Sequence, residues 1–335
     1  MGNANHGQIR IAGELGATGW RRVPNRSKSG PVRWTNLTRN QLSAHVGLVI
    51  SAKPAVDKKG RETMSVVIDL KDRVVLVTGG ARGVGAGITQ AFLDAGAVVE
   101  ICGRSVPEAG GISQHPLVHF AQVDVRNAEQ VQEWVADVLS RRGRIDVAVN
   151  NAGGSPFGRF EKGSARYLQA ITELNFLSAA HVASAVLPVM MRQPDKGSIV
   201  NITSISARRP SPGTAVYGAA KAALESLTGS LAVEWAPHIR VNAVSCGLVA
   251  TDGAVDHYGD EDSFNRVAAT IPRGQLAAPG EIGAACVMLA SDMSSHITGA
   301  VLDVDGGGEW PAFLAHTPNA DELKPLELEV EGAHS

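Results

Sequence analysis

The chain has 335 residues, 44% of them hydrophobic and 19% charged, with a formal net charge of −2. That balance suits a soluble globular protein with one large α/β domain or two smaller ones. No apolar run approaches the roughly 20 residues of a membrane helix, so no membrane partner is expected. The three cysteines, Cys102, Cys246 and Cys286, are odd in number and far apart. They argue against a disulfide framework or a zinc site and for a reducing cytoplasm.

Residues 1–63 hold 11 Lys and Arg against Glu14, Asp57 and Glu62, a net +8 that leaves −10 for the rest. No sustained strand or helix pattern runs through them, and such composition buries too little apolar surface to order itself. A basic nucleic-acid arm and an Arg-rich transit segment are two functional readings of the stretch. The reading taken is a disordered basic extension, or sequence upstream of a start at Met64, with no nucleic-acid partner. A domain over 64–310 and a tail over 311–335, acid-rich after Glu322 and frayed, complete the division.

Val74 to Val77 is a β-branched-rich run consistent with a strand buried on both faces. A glycine turn, Thr78 to Gly85, follows it, and Ile88, Ala91, Phe92 and Ala95 then recur at helical spacing up to Gly96. Val98 to Cys102 reads as a second strand ending at Gly103-Arg104-Ser105. The crossover helix expected next is poorly supported, because Pro107, Gly110, Gly111 and Pro116 punctuate the segment. A third strand covers Val118 to Val123 and closes at Asp124-Val125. A helix covers Asn127 to Arg142, with Val131, Trp134, Val135 and Val138 on one face.

Ile145 to Val149 is a fourth strand, running into Asn150-Asn151-Ala152-Gly153-Gly154. A long helical segment from about Ser164 to Arg192 carries Asn175, and Ser198 to Ile202 leads to Thr203-Ser204. A helix from Ala215 to Trp235 contains Tyr217 and Lys221. Ile239 to Val244 is a sixth strand, followed by Cys246 to Thr251, and the polar segment Asp252 to Arg266 reads as mobile. A helix near Glu281 to Ala290 and a strand near Val301 to Val304 close the domain. Alternating strands and helices imply one parallel sheet with helices on both faces. Ligands of such sheets sit beyond the carboxyl ends of the strands, where every polar cluster just named falls.

Strand, glycine turn and helix N-terminus together make an anion site, although a glycine turn alone also serves shape only. Tyr217 and Lys221 stand four residues apart, on one face of their helix. A tyrosine pKa near 10 is too high for efficient proton exchange at neutral pH, and bringing it near 7 takes about 4 kcal/mol. An adjacent ammonium favours the phenolate. Ser204, 13 residues before Tyr217, could hydrogen-bond a substrate carbonyl from its strand end. Tyr-x-x-x-Lys in isolation is an ordinary helix surface pair.

Taken together, these residues resemble the short-chain dehydrogenase/reductase family over roughly residues 70–308. TGGARGVG at 78–85 is similar to its glycine element, NNAG at 150–153 to its strand-end element, and Asp124 to its adenine-contacting acid. The resemblance implies a single Rossmann-type doubly wound sheet of about seven strands. It implies Tyr217 as acid/base, Lys221 as its partner and ribose ligand, Ser204 as the residue that polarises the carbonyl, and Asn175 as holder of a water. Gly79, Arg82, Gly83, Val84, Gly85, Arg104, Ser105, Asp124, Val125, Asn151, Ala152, Gly153, Tyr217, Lys221, Val249 and Thr251 are the implied cofactor contacts.

Cys246-Gly247 departs from the family's Pro-Gly, which puts the rigidity of that loop in question. NADP is the expected cofactor rather than NAD, because Gly103 leaves no carboxylate at the end of the second strand and Arg104 follows. The expected activity joins a secondary alcohol to a ketone by hydride transfer. Enoyl or imine reduction, and a non-catalytic nucleotide-sensing role, are the alternatives. The family resemblance further implies a homo-oligomer, tetramer or dimer. Residues 154–165 and 252–266, with Phe157, Phe160, His257, Tyr258 and Phe264, are the expected substrate walls. The ten histidines show no metal-ligand spacing, and no metal is expected.

Overall fold

The computed structural model describes residues 18–22, 34–38, 51–56, 62–107 and 110–317. The acid-rich tail after Glu322 and most of the basic extension lie outside the described residues. The chain divides into two units, 1–50 and 51–335. In the first, β1 (Thr18–Arg22) pairs antiparallel with β2 (Trp34–Thr38). In the second, β3 (Ser51–Val56) pairs antiparallel with β4 (Glu62–Val67). The sequence reading finds no strand pattern over 1–63, yet the backbone forms these two ladders. Main-chain pairing satisfies N–H and C=O groups without needing an alternating apolar face.

The second unit carries a seven-stranded sheet whose neighbours all run parallel. Its strands are β5 (Val74–Thr78), β6 (Val98–Gly103), β7 (Val118–Gln122), β8 (Val147–Asn150), β9 (Gly197–Ser204), β10 (Ile239–Cys246) and β11 (Val301–Val304). Their order is β11-β10-β9-β8-β5-β6-β7. Alternate residues of β5 feed different cores. Val75 and Val77 pack with Ile88 and Phe92 of α1 (Gly83–Asp94), and that core also takes in Ile282, Cys286 and Leu289 from the chain's last long helix. Val74 and Leu76 pack on the other side with Val131, Trp134, Val135 and Val138 of α2 (Ala128–Arg142). Each such side chain, fully buried, contributes about 1.5–3 kcal/mol relative to exposure.

Asn127 caps α2: its Oδ1 accepts from the amides of Glu129 and Gln130 at 2.9 and 3.1 Å. Gly143 ends that helix with φ at +74°. As the punctuation after Gly103 predicts, the only helical turn described between β6 and β7 is the short one at Ile112–Gln114.

The long helical segment is α3 (Ala165–Thr172), a π turn over Glu173–Leu177, and α4 (Ser178–Met190). By length and composition Ala165–Met190 could cross a membrane, contrary to the sequence expectation. Here it lies along the sheet, with Val182, Val186 and Met190 buried against Ala148 and Ile199. Then come α5 (Ala215–Glu234), α6 (Ala254–Tyr258), α7 (Glu261–Ala268) and α8 (Pro279–Ala290). The polar segment read as mobile is therefore helical in α6 and α7. Asp260 caps α7, accepting from Ser263 N at 2.7 Å, and Ala268 joins Ile271 and Leu276 in a small apolar cluster.

Candidate active site

Strand addition reverses between β5 and β8, since β6 and β7 lie on one side of β5 and β8 to β11 on the other. Such a switch point opens a crevice at the carboxyl ends of the strands. Thr78, the last residue of β5, bridges it: its Oγ1 accepts from the amides of Asn151 and Ala152 at 3.0 and 2.9 Å. Asn151 Nδ2 returns a bond to Thr78 O at 2.8 Å. From sequence alone Thr78 is only the first residue of the glycine motif, without a role of its own. Its signal was a hydroxyl closing a buried strand.

Gly79 and Gly83 adopt φ of +66° and +52°, which favours glycine. A Cβ on Gly85 would fall 2.0 Å from Gly79 O and 2.6 Å from Asn151 Nδ2. Arg82, at the N-cap of α1, gives the helix no side-chain hydrogen bond, and the first turn holds no acid. Unsatisfied amides and the positive end of the helix dipole are thus left for an anion. This cradle fits a dinucleotide pyrophosphate. Gly83 also lies beside Thr251, whose Cγ2 is 3.5 Å from the Gly83 Cβ position.

Across the crevice, the structure brings Ser204, Tyr217, Lys221, Asn175 and Gly153 together. A Cβ on Gly153 would stand 2.8 Å from Asn175 Oδ1 and 3.1 Å from Lys221 Nζ. Asn175 is buried in the π turn; it accepts from Gly154 N at 2.8 Å and donates to Gly154 O and Ile171 O, both at 2.9 Å. Such a turn inserts one residue into the helical ladder and frees backbone carbonyls, which here Asn175 reclaims at Ile171. Ser204 ends β9, and its Oγ accepts from Ser206 N at 3.2 Å.

Lys221 is buried, and its Nζ donates to Ile202 O at 2.8 Å and lies 5.8 Å from the centre of the Tyr217 ring. Burial lowers its pKa to about 8. Tyr217 differs from the sequence expectation: burial holds its phenol above the ordinary tyrosine value, and a hydrogen bond with Ser204 is what works against this. Desolvation of the phenolate outweighs the help that an ammonium was expected to give.

The adenine side is more open. Arg82, Arg104 and Ser105 are exposed, and among the described residues neither arginine makes an ion pair. Asp124 is gripped by Arg126, whose Nε and Nη2 reach its carboxylate at 2.9 and 2.5 Å, holding it below the usual carboxylate range. Val125 is buried in the core on the α2 side, and its carbonyl lies 3.2 Å from His181 Nδ1. Val84 packs at the edge of the opposite core.

Cys246 closes β10 opposite Ser204 and Val304, and burial pushes its thiol up to about 12. The loop beyond it does not rely on a proline. Gly247 N donates to Val304 O at 3.0 Å, and Ala250 N to Ala277 O at 2.9 Å, with Val249 bridged to Ala277. On the outer wall, Phe157 is 78% exposed and Phe160 61%; Phe157 lies over Gly213. Tyr258 and Phe264 have ring centres 6.3 Å apart. The side chain of His257 lies outside the described residues.

A family model described as "Enoyl-(Acyl carrier protein) reductase" matches residues 79–309. The 3-oxoacyl-[acyl-carrier-protein] reductase of Chlamydia muridarum is 38% identical over 247 residues, 71% of this chain and 98% of that protein. The L-fucose dehydrogenase of Oryctolagus cuniculus is 35% identical over 71% of this chain and 85% of its own. The ligand-free structure of Thermoplasma acidophilum aldohexose dehydrogenase superposes with a TM-score of 0.68 at 30% identity, covering 72% of this chain and 95% of that one. The chain belongs to the short-chain dehydrogenase/reductase family. Membership of the short-chain dehydrogenases/reductases makes it an NAD(P)-dependent oxidoreductase on a Rossmann-type sheet.

Proposed function

We propose that the protein interconverts a secondary alcohol and a ketone, with NADP(H) as cofactor and Tyr217 as acid/base. The observation that carries this reading is the Ser204–Tyr217 contact with Lys221 buried one helical turn away, at the mouth of the switch-point crevice. Tyr217 Oη exchanges a proton with the substrate oxygen. Ser204 Oγ donates to the same oxygen and orients the carbonyl. Lys221, charged below about pH 8, favours the phenolate through its field rather than through a direct bond. Asn175 braces Gly154 and so the floor of the crevice. The glycine turn, with Arg82, Arg104 and Thr251 around it, would hold the dinucleotide, which supplies or accepts the hydride when bound.

Turnover of a panel of secondary alcohols and ketones with NADP(H) and NAD(H), in the parent and in Ser204→Ala, tests this reading. Consumption of conjugated enoyl substrates alone would favour the activity named for the matching family model. Cofactor binding without any turnover would point to nucleotide sensing. A ketone is favoured because Ser204 and Tyr217 place two donors together for one oxygen, the atom that gains the proton as a ketone is reduced.

The three cysteines are free and buried, which supports residence in a reducing cytoplasm. A dimer or tetramer is the proposed assembly, supported by Val233 of α5, 80% exposed. Light scattering at micromolar concentration that gives a monomer mass would overturn it.

A further inference from the structure

We propose that Glu225 is a positioning residue, which fixes Ser204 against Tyr217 by holding both chain segments that flank Ser204 to helix α5. The proposal rests on the roles just given to those two residues. Ser204 arrives at the end of β9 and Tyr217 near the start of α5, and residues 205–214 lie between the two elements. A tie is therefore needed between the strand end and the helix.

Glu225 supplies it from α5, four residues beyond Lys221. Its Oε1 accepts from Thr203 Oγ1 at 3.0 Å, immediately before Ser204. Its Oε2 accepts from Arg208 Nε at 3.1 Å, just after the short helical turn that follows Ser204. The same guanidinium spreads Nη1 across both oxygens of Asp303 on β11, at 3.0 and 2.9 Å. One carboxylate thus grips the strand before the serine and the loop after it. Charge-assisted pairs of this kind fix geometry as well as adding energy.

The fold has other supports at these points. Thr203 Oγ1 also lies 3.4 Å from Val244 O, and Arg208 keeps Asp303 without Glu225. Lys221 Nζ on Ile202 O and Asn201 Nδ2 on Thr228 Oγ1 also hold β9 to α5, so what depends on Glu225 is the tie of Thr203 and of the loop at Arg208 to that helix. A shift of the order of 1 Å between groups that act together costs up to about 100-fold in rate. Loss of this tie should therefore appear in the chemical step before it appears in stability.

The test is Glu225→Gln in the full chain, which keeps the shape and removes the charge that draws Arg208 to α5. It is read by kcat and KM, by cofactor affinity, and by NMR of 13Cζ-labelled tyrosine in the cofactor-free protein. The chain has three tyrosines, and Tyr217→Phe assigns the signal of interest. The expected result is a kcat lowered about tenfold, with KM and cofactor affinity within about twofold, and a Tyr217 signal displaced in the same sense as in Ser204→Ala. Parent kcat and an unmoved Tyr217 signal in Glu225→Gln, with Ser204→Ala displaced, would overturn the proposal. Should Glu225→Gln fail to fold, Thr203→Val cuts one arm of the tie alone. An unmoved Tyr217 signal there would make Glu225 a stability residue only. If Ser204→Ala and Tyr217→Phe both keep parent turnover, the functional reading fails, and the NMR comparison still decides whether Glu225 sets the Ser204–Tyr217 contact.

Discussion

Lys221 stands 5.8 Å from the centre of the Tyr217 ring but gives its hydrogen bond to Ile202 O, at 2.8 Å. The ammonium is thus anchored to the strand that delivers Ser204 rather than bonded to the phenol. Burial lowers its pKa from 10.5 to about 8, which has a consequence for stability. Below about pH 8 both folded and unfolded chains carry the proton, and the folded state bears the full cost of a buried charge. Above pH 10.5 neither carries it, and the cost is gone. Between those values the unfolded state binds more protons, so stability rises with pH, by up to about 3 kcal/mol. In Lys221→Met this rise should be absent. Chemical denaturation of both proteins from pH 7.5 to 10.5 measures the difference, and a pH-independent difference would refute the shift.

Tyr217→Phe should lower kcat by at least about 100-fold, the contribution of a positioned acid/base. Cofactor affinity should stay within about threefold, because the glycine cradle is untouched. A variant that keeps more than a tenth of parent turnover would remove Tyr217 from the chemistry. The phenol is held above the ordinary tyrosine value by burial.

Gly85→Ala places a methyl 2.0 Å from Gly79 O and 2.6 Å from Asn151 Nδ2. Neither backbone nor the amide clamped to Thr78 O can yield cheaply, so the turn must open. Overpacking of this kind costs about 1–3 kcal/mol. The expected outcome is a cofactor Kd raised at least about tenfold, measured by nicotinamide fluorescence or calorimetry. An unchanged Kd would show that the turn is not the pyrophosphate seat.

A chain beginning at Met64 loses β1, β2, β3 and the first two residues of β4 but nothing of the seven-stranded sheet. Among the residues whose burial is described Leu70 is the first in the core, and its amide donates to Ala95 O at 2.7 Å. Such a chain should fold, keep parent turnover and melt within a few degrees of the parent. Insolubility or a large fall in Tm would assign the N-terminal ladder a stabilising role.

Much of the sheet was legible in the sequence because strands such as β5 carry a continuous apolar run and helices such as α2 a 3.6-residue apolar stripe. Val74–Thr78 and the face of α2 formed by Val131, Trp134, Val135 and Val138 are direct cases. The residues gathered at the crevice were legible because glycines and strand-end polar residues interrupt those runs. What stayed hidden depends on pairing across the fold. The fully buried Glu100 on β6 is held by a fork from Arg141 and a single bond from Arg142 Nε at the far end of α2, contacts that no local spacing encodes. Glu225 looks like one more polar helix residue until Thr203 and Arg208 are seen on its carboxylate. Burial was the other hidden quantity: a Tyr-x-x-x-Lys spacing places two groups on one face but does not say how dry that face is. Here it is dry enough to reverse the expected direction for Tyr217.

The proposed preference for NADP(H) makes the sharpest test of the adenine side. Selection of NAD needs a carboxylate at the end of the second strand of the unit, to accept from the adenosine ribose. In this chain β6 ends at Gly103, and Asp124, just beyond the end of β7, is committed to Arg126. Arg82 and Arg104 are exposed and free of ion pairs among the described residues, leaving two guanidiniums for a 2′-phosphate of nearly two negative charges. Charge-assisted bonds of about 1.5–3 kcal/mol each make the expected preference roughly 100-fold. Gly103→Asp can test this without disturbing the fold. Its Cβ position lies 3.5 Å from Phe120, an ordinary contact, and its φ is outside the left-handed region. The new carboxylate should repel the phosphate and accept from the ribose, lowering kcat/KM with NADP(H) and raising it with NAD(H). Arg104→Ala should lower only the NADP(H) value, by about tenfold. A parent protein that favours NAD tenfold in kcat/KM would overturn the assignment. So would a Gly103→Asp variant that folds with its preference unmoved, since the ribose would then be bound away from the end of β6.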